Sequence, residues 1–181
     1  MMDLTKKGLP NVVDIGGSPY SIYTDYRVWM RFENEAMNMR AGDRIDVSYL
    51  FKNDMPAYCN ISDLFSFSRP KSLLPRSVGN HSDAVIIDYD LDADLIYAAF
   101  LGQYGIDLID IPELHWHKFL ALLKGVNEQT KLREVMGYRC YEKQAADNRR
   151  DVYEELRRAW EIDRLTPEEQ MEADKFSSYF D

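Results

Sequence analysis

Alternating aspartates in Asp88-Tyr89-Asp90-Leu91-Asp92-Ala93-Asp94 match the opening of a calcium loop. The rest of that loop is missing. Its sixth position is Ala93 where glycine makes the sharp turn, and its twelfth is Ala99 where a bidentate glutamate closes the cage. Helix capping and compensation of the helix dipole account for these acids instead. His115-Trp116-His117 invites a metal reading, but residues two apart on a helix point about 200° away from each other. Glu113 and His117 would share a face, and two ligands without a third do not make a zinc site. The expectation is one histidine half-buried among aromatics. Gly16-Gly17-Ser18-Pro19 lacks the Gly-Lys-Ser/Thr ending of a phosphate cradle and leads into a strand-like run. There is no Gly-x-Ser-x-Gly elbow, and no motif supports a Cys–His dyad with His81, His115 or His117. The sequence therefore predicts no catalytic residues, no metal and no cofactor; it predicts a protein that works by binding other proteins.

Charge narrows the partners. The formal net charge is -9, and from Asp83 to Glu113 there are eight acids and no Lys or Arg. Such a field repels phosphates, which disfavours nucleic acid and anionic membranes, and it attracts a basic protein surface. Arg149-Arg150 and Arg157-Arg158 alternate with Asp151, Glu154, Glu155 and Glu161, the pattern of a solvated helix face. Cys59 and Cys140 fit reduced thiols better than a disulfide framework. Neither a signal-peptide stretch nor a run of about 18 apolar residues is present, so a soluble protein retained in the cytoplasm is expected.

The elements that must position these residues are mainly α-helical, in one compact multi-helix domain over residues 1–181 with a small N-terminal β-hairpin at 10–24. Thr24 or Asp25 is expected to cap a helix to about Arg40, with an apolar stripe of Val28, Phe32, Ala36 and Met39 and Trp29 beside it. A second helix is expected from about Asp43, carrying Ile45, Tyr49 and Leu50, and a third over Ile61–Phe67. Residues 68–83, rich in proline and serine, read as a flexible loop or linker. Asp90 or Asp92 caps a helix to Tyr104, with Leu95, Ala99 and Phe100 on one side and Gly105 as its stop. Asp110, Pro112 and Glu113 signal a helix running to Lys124, with Leu114, Phe119, Leu122 and Leu123 on its apolar face. Another is expected over Asn127–Met136, stopped by Gly137. Residues 142–181 read as charged C-terminal helices, the first with a stripe of Val152, Leu156, Ala159 and Trp160, the last opened by Thr166-Pro167-Glu168-Glu169.

Candidate partner-binding residues are Trp29 and Phe32 on the first long helix, and Trp116, Phe119, Leu120 and Leu123 on the helix ending at Lys124. The latter face is either core or partner groove, with core the first expectation. Met30, Met37, Met39 and Met55 add flexible thioethers that suit varied apolar partners but also fill cores, and core filling is expected of any one of them. The terminal Phe176-Ser177-Ser178-Tyr179-Phe180-Asp181 either docks on the body or serves as a partner-binding tail.

Two stretches carry a family resemblance. One is Val13-Asp14-Ile15-Gly16-Gly17 with Tyr20 and Thr24-Asp25-Tyr26-Arg27-Val28-Trp29-Met30-Arg31-Phe32. The other starts at Asp88-Tyr89-Asp90-Leu91-Asp92-Ala93-Asp94-Leu95-Ile96-Tyr97-Ala98-Ala99-Phe100-Leu101. It continues through Gln103-Tyr104-Gly105-Ile106-Asp107-Leu108, Leu114-His115-Trp116-His117-Lys118-Phe119 and Met136-Gly137-Tyr138-Arg139. Together they resemble the tail assembly chaperones of long-tailed bacteriophages of Gram-positive hosts, small proteins encoded just upstream of the tape-measure gene. His117 stands where another aromatic is expected after Trp116. The resemblance implies binding to the tape-measure protein and later to the major tail tube protein, with self-association a further expectation. It implies action in the host cytoplasm and absence from the mature virion. Competing expectations are a structural tail or neck component and a host-directed regulator that binds a bacterial protein.

Overall fold

The structure is a computed structural model and describes residues 4–40, 43–70, 86–141 and 150–162. Strands β1 (Val12–Ile15) and β2 (Ser18–Ser21) pair antiparallel, with Ile15 opposite Ser18. Gly16 and Gly17 fill the two-residue turn with φ of 61° and 81°, a geometry that only glycine takes without strain, and the Gly17 N–H donates to Asp14 Oδ1. Alternation along β1 buries Val13 and Ile15 and leaves Val12 and Asp14 outside. The chain is mainly α, as expected, with this hairpin at its start.

Helix α1 (Tyr26–Met37) is capped by Asp25, whose carboxylate accepts from the Arg27 N–H. Its buried face is Tyr26, Trp29, Phe32 and Glu33, whereas Val28 and Ala36 are half-buried and Met39 lies exposed beyond the helix. The stripe is thus rotated from the expected one and centred on Trp29. The helix expected from Asp43 is replaced by an extended run and a single 3-10 turn, Ser48–Leu50. Asp46 accepts from the Ser48 N–H there, a local bond that competes with helix formation. Helix α2 (Ile61–Ser68) includes Ser68, which begins the expected loop; residues 71–83 of that loop lie outside the described residues.

Helix α3 (Ala93–Tyr104) has Asp92 at its N-cap position and ends at Gly105 in the left-handed conformation, φ 64°. Its buried face is Ile96, Ala99 and Phe100, with Leu95 half-buried. The Asp92 carboxylate turns back to accept from the Asp88 N–H, while Asp88 accepts from the N–H groups of Asp90 and Leu91. These acids close the entry turn of the helix. Helix α4 spans Trp116–Lys124 and starts after the Pro112-Glu113 signal, with His115 as N-cap. Non-local pairing decides that start. The Tyr26 N–H donates to the Leu114 carbonyl and the Trp116 N–H to the Thr24 carbonyl, holding residues 114–116 extended beside the start of α1. Helix α5 (Lys131–Arg139) contains Gly137 in its interior, so that glycine is not a stop. Helix α6 covers Arg150–Ala159, and the helix expected from Thr166 and the terminal Phe176–Asp181 segment lie outside the described residues.

The residues group into two compact units, Met1–His81 with Ile87–Glu134, and Ser82–Ile86 with Val135–Asp181. In the first, aromatic rings form a continuous core. Trp29 lies 4.5 Å from Phe67, Phe67 stacks on His117 at 4.5 Å, and Phe119 stacks on Tyr26, Phe100 and Trp116 at 5.0–5.5 Å. Burying rings of this size is a large contribution to the folding of this unit. In the second, the buried Arg139 donates to the carbonyls of Trp160 and Ile86, and Tyr141 stacks on Tyr153. Along α6, Val152 and Ala159 are exposed and Leu156 and Trp160 half-buried, so the stripe expected there is not a closed core face.

Candidate partner-binding surface

The sequence-derived candidates divide by burial. Trp29, Phe32, Trp116 and Phe119 are in the core, against the chain's own aromatics, and Leu120 and Leu123 are half-buried. Their polar edges are also committed. Trp29 Nε1–H donates to the Tyr23 carbonyl at 2.7 Å, and Trp116 Nε1–H to the Ser68 carbonyl at 2.8 Å. None of the four aromatics is offered to a partner in this conformation.

His115 and His117 are closer than helical spacing allows, with ring centroids 5.2 Å apart, because His115 precedes the helix. His115 Nδ1 accepts from the His117 N–H, so its other nitrogen carries the proton and donates to the Pro10 carbonyl. His117 Nε2–H donates to the Phe67 carbonyl at 2.8 Å. Burial lowers the pKa of both rings. Three of the four ring nitrogens thus fasten backbone segments, and His117 Nδ1 is buried without a hydrogen-bond partner. Among the described residues no group of three or more His, Cys, Asp or Glu is placed to hold a metal ion.

An open groove lies along the outer face of α1. Arg27, Met30, Arg31, Asn34 and Asn38 follow one another down that face at helical spacing. The run Asp43–Asp46 forms the facing wall, Tyr89 and Asp90 join the lining, and the groove encloses about 960 Å³. Its apolar lining is Met30, Met39 and Ile45, which are half-buried or exposed. None of Met30, Met37, Met39 and Met55 is buried, so the expectation that they fill the core does not hold.

The charged wall is pre-organised. Arg31 Nε donates to Glu35 Oε1 at 2.7 Å, the Tyr49 hydroxyl donates to Glu35 Oε2 at 2.6 Å, and the Arg31 guanidinium lies 3.9 Å from the centre of the Tyr49 ring. Burial and the Glu35 bond push the Tyr49 pKa upward, so its hydroxyl stays a donor. Arg27 pairs with Asp25 and donates to the carbonyls of Leu108, Ile109 and Ile111. Bonds from Ser48 hold the Asp46 carboxyl below its ordinary pKa, so it is ionised at neutral pH. Sequence reasoning named Met30, Met39, Ile45 and Asp90 separately and Asn34 not at all, and nothing in it brought them together, because their approach depends on tertiary structure.

Compared with known families, residues 33–165 match the model of the Bacteriophage Gp15 protein. The chain belongs to that family and is a bacteriophage protein. No curated protein and no solved structure matches it. The match takes in the second of the two resembling stretches and leaves the hairpin and Tyr26–Phe32 outside. No helix among the described residues is long and apolar enough to cross a membrane.

Proposed function

We propose that this phage protein is a tail assembly chaperone. It binds the tape-measure protein in the host cytoplasm, keeps it soluble, gives way to tail-tube subunits and leaves before the virion is complete. The observation that carries the reading is the open groove beside α1, with Met30, Met39 and Ile45 in a charged surround. A tape-measure protein is a long helical chain with extended apolar stripes, and those stripes aggregate when left in water. A groove of this form covers one stretch of such a stripe without any bond being made or broken.

Magnitude fixes how it must act. Covering the exposed parts of three aliphatic side chains contributes about 2–4 kcal/mol at roughly 25 cal/mol per Å². That alone corresponds to an affinity no tighter than about millimolar. Such contacts release easily and hold a long client only when many copies bind along it. Co-expression with the tape-measure protein of the same phage tests the reading. The client is expected in the soluble fraction with this chain and in aggregates without it, and Met30→Glu is expected to weaken the effect. Equal aggregation in both cases overturns the proposal. Stoichiometric amounts of this chain in purified particles, measured by mass spectrometry, would replace it with a structural tail or neck role.

A further inference from the structure

We infer that the groove beside α1 takes an amphipathic helical segment whose apolar stripe is flanked by lysine and arginine. This rests on the proposed chaperone function and adds the chemistry of the bound segment. Helix α1 has 12 residues, a length of about 18 Å, which accommodates about three turns of a helix lying alongside it. Met30, Met39 and Ile45 face its stripe.

Charge selects the flanks. Glu35, Asp43, Asp46 and Asp90 line the groove with Arg27, Arg31 and Arg44, four acids against three bases. Two of those arginines are already engaged, Arg27 by Asp25 and three carbonyls, Arg31 by Glu35 and the Tyr49 ring. Asp43 and Asp90 make no ion pair among the described residues, and Asp46 shares the field of Arg31 with Glu35. The groove therefore presents excess negative charge to whatever enters.

The test uses the full chain and three labelled synthetic peptides of about 18 residues, long enough to span the groove as a helix. One has a leucine stripe with lysine flanks, one the same stripe with glutamate flanks, and one lysine flanks with serine in place of leucine. Fluorescence anisotropy at about 50 mM and about 300 mM salt reads the binding. The lysine-flanked leucine peptide is expected to bind at least about tenfold tighter than its glutamate counterpart at low salt, with the gap narrowing at high salt. The triple variant Asp43→Asn, Asp46→Asn, Asp90→Asn is expected to lose that discrimination while its circular dichroism stays unchanged. Equal binding of the lysine and glutamate peptides overturns the inference, as does equal binding of the serine peptide. If the tape-measure protein is kept soluble but the peptides are not discriminated, only this inference falls. If they are discriminated but the client still aggregates, the chaperone function falls and the groove's preference stands.

Discussion

The indole N–H of Trp116 donates to the backbone carbonyl of Ser68 at 2.8 Å, tying the first residue of α4 to the last of α2. The next side chain repeats the tie one residue earlier, because His117 Nε2–H donates to the Phe67 carbonyl. Both carbonyls belong to the last turn of α2, where no intrahelical N–H remains to take them. Adjacent side chains of α4 thus serve as the C-terminal cap that the sequence of α2 lacks, and the same two rings pack into the aromatic core.

Substituting Trp116 separates these contributions. Trp116→Ala is expected to lower the unfolding free energy by about 3–5 kcal/mol through loss of packing and an unfilled cavity. Trp116→Phe keeps much of the ring volume and strands the Ser68 carbonyl, for an expected loss of about 1–3 kcal/mol. Urea denaturation of both variants measures the difference.

The buried carboxylate of Glu33 supplies a second prediction. Arg69 reaches it through Nε and Nη2, at 2.7 Å for the closest contact, while the arginine stays about half exposed and lies over the Phe65 ring. Arg69→Ala would leave a carboxylate that is 4% exposed without its cation. An expected loss of about 1–3 kcal/mol follows, tempered by water entering where the guanidinium stood. The double variant with Glu33→Gln should recover part of that loss. Additive losses in a denaturation cycle would refute the coupling.

Much of the fold was legible where one residue type decides the local geometry. Gly16 and Gly17 supply the positive φ of the hairpin and Gly105 ends α3 as expected, while Asp92 holds the N-cap position but turns its carboxylate to the Asp88 N–H instead of capping the helix. What failed was settled at long range. Pro112-Glu113 is a sound local start signal, yet α4 begins at Trp116 because residues 114–116 pair with Thr24 and Tyr26 instead. The Asp43 segment carries helical spacing but lies opposite α1 as a groove wall, with Asp46 bonded to Ser48. The surface was half legible. Met30 and Met39 stood out by type, whereas the meeting of Ile45 and Asp90 with α1 depends on contacts that no local pattern encodes.

Two glycines with opposite backbone roles give opposite predictions. Gly105 sits at φ 64°, where a Cβ strains the chain, so Gly105→Ala is expected to cost about 1–2 kcal/mol despite open space around it. Gly137 lies inside α5 without positive φ and with nothing within 4 Å of an added Cβ. Gly137→Ala is expected to stabilise by about 0.5–1 kcal/mol by reducing the freedom of the unfolded chain. Thermal melts of the pair should shift in opposite directions, and a destabilised Gly137→Ala would refute the helix-interior placement.

The paired histidines make stability depend on pH in a definite direction. Burial is the largest cause lowering the pKa of both His115 and His117, opposed by their bonds to the Pro10 and Phe67 carbonyls. Lys118 lowers the pKa of His115 further and Glu113 raises it, while the charge of His115 lowers that of His117. With the folded pKa values below the ordinary 6.5, the unfolded chain takes up protons first as pH falls. The stability held by neutral rings is therefore complete above the unfolded value and is lost as pH falls through 6.5 toward the folded values. Unfolding free energy measured by urea titration is expected to decline from about pH 7 to about pH 5. His117→Phe keeps a ring against Phe67 and removes one titration, and His115→Asn preserves an N-cap and removes the other. Each variant should be less stable at neutral pH yet show a shallower decline, with the double variant the shallowest. A decline unchanged in the double variant would assign the acid sensitivity to carboxylates elsewhere and refute the role given to these rings.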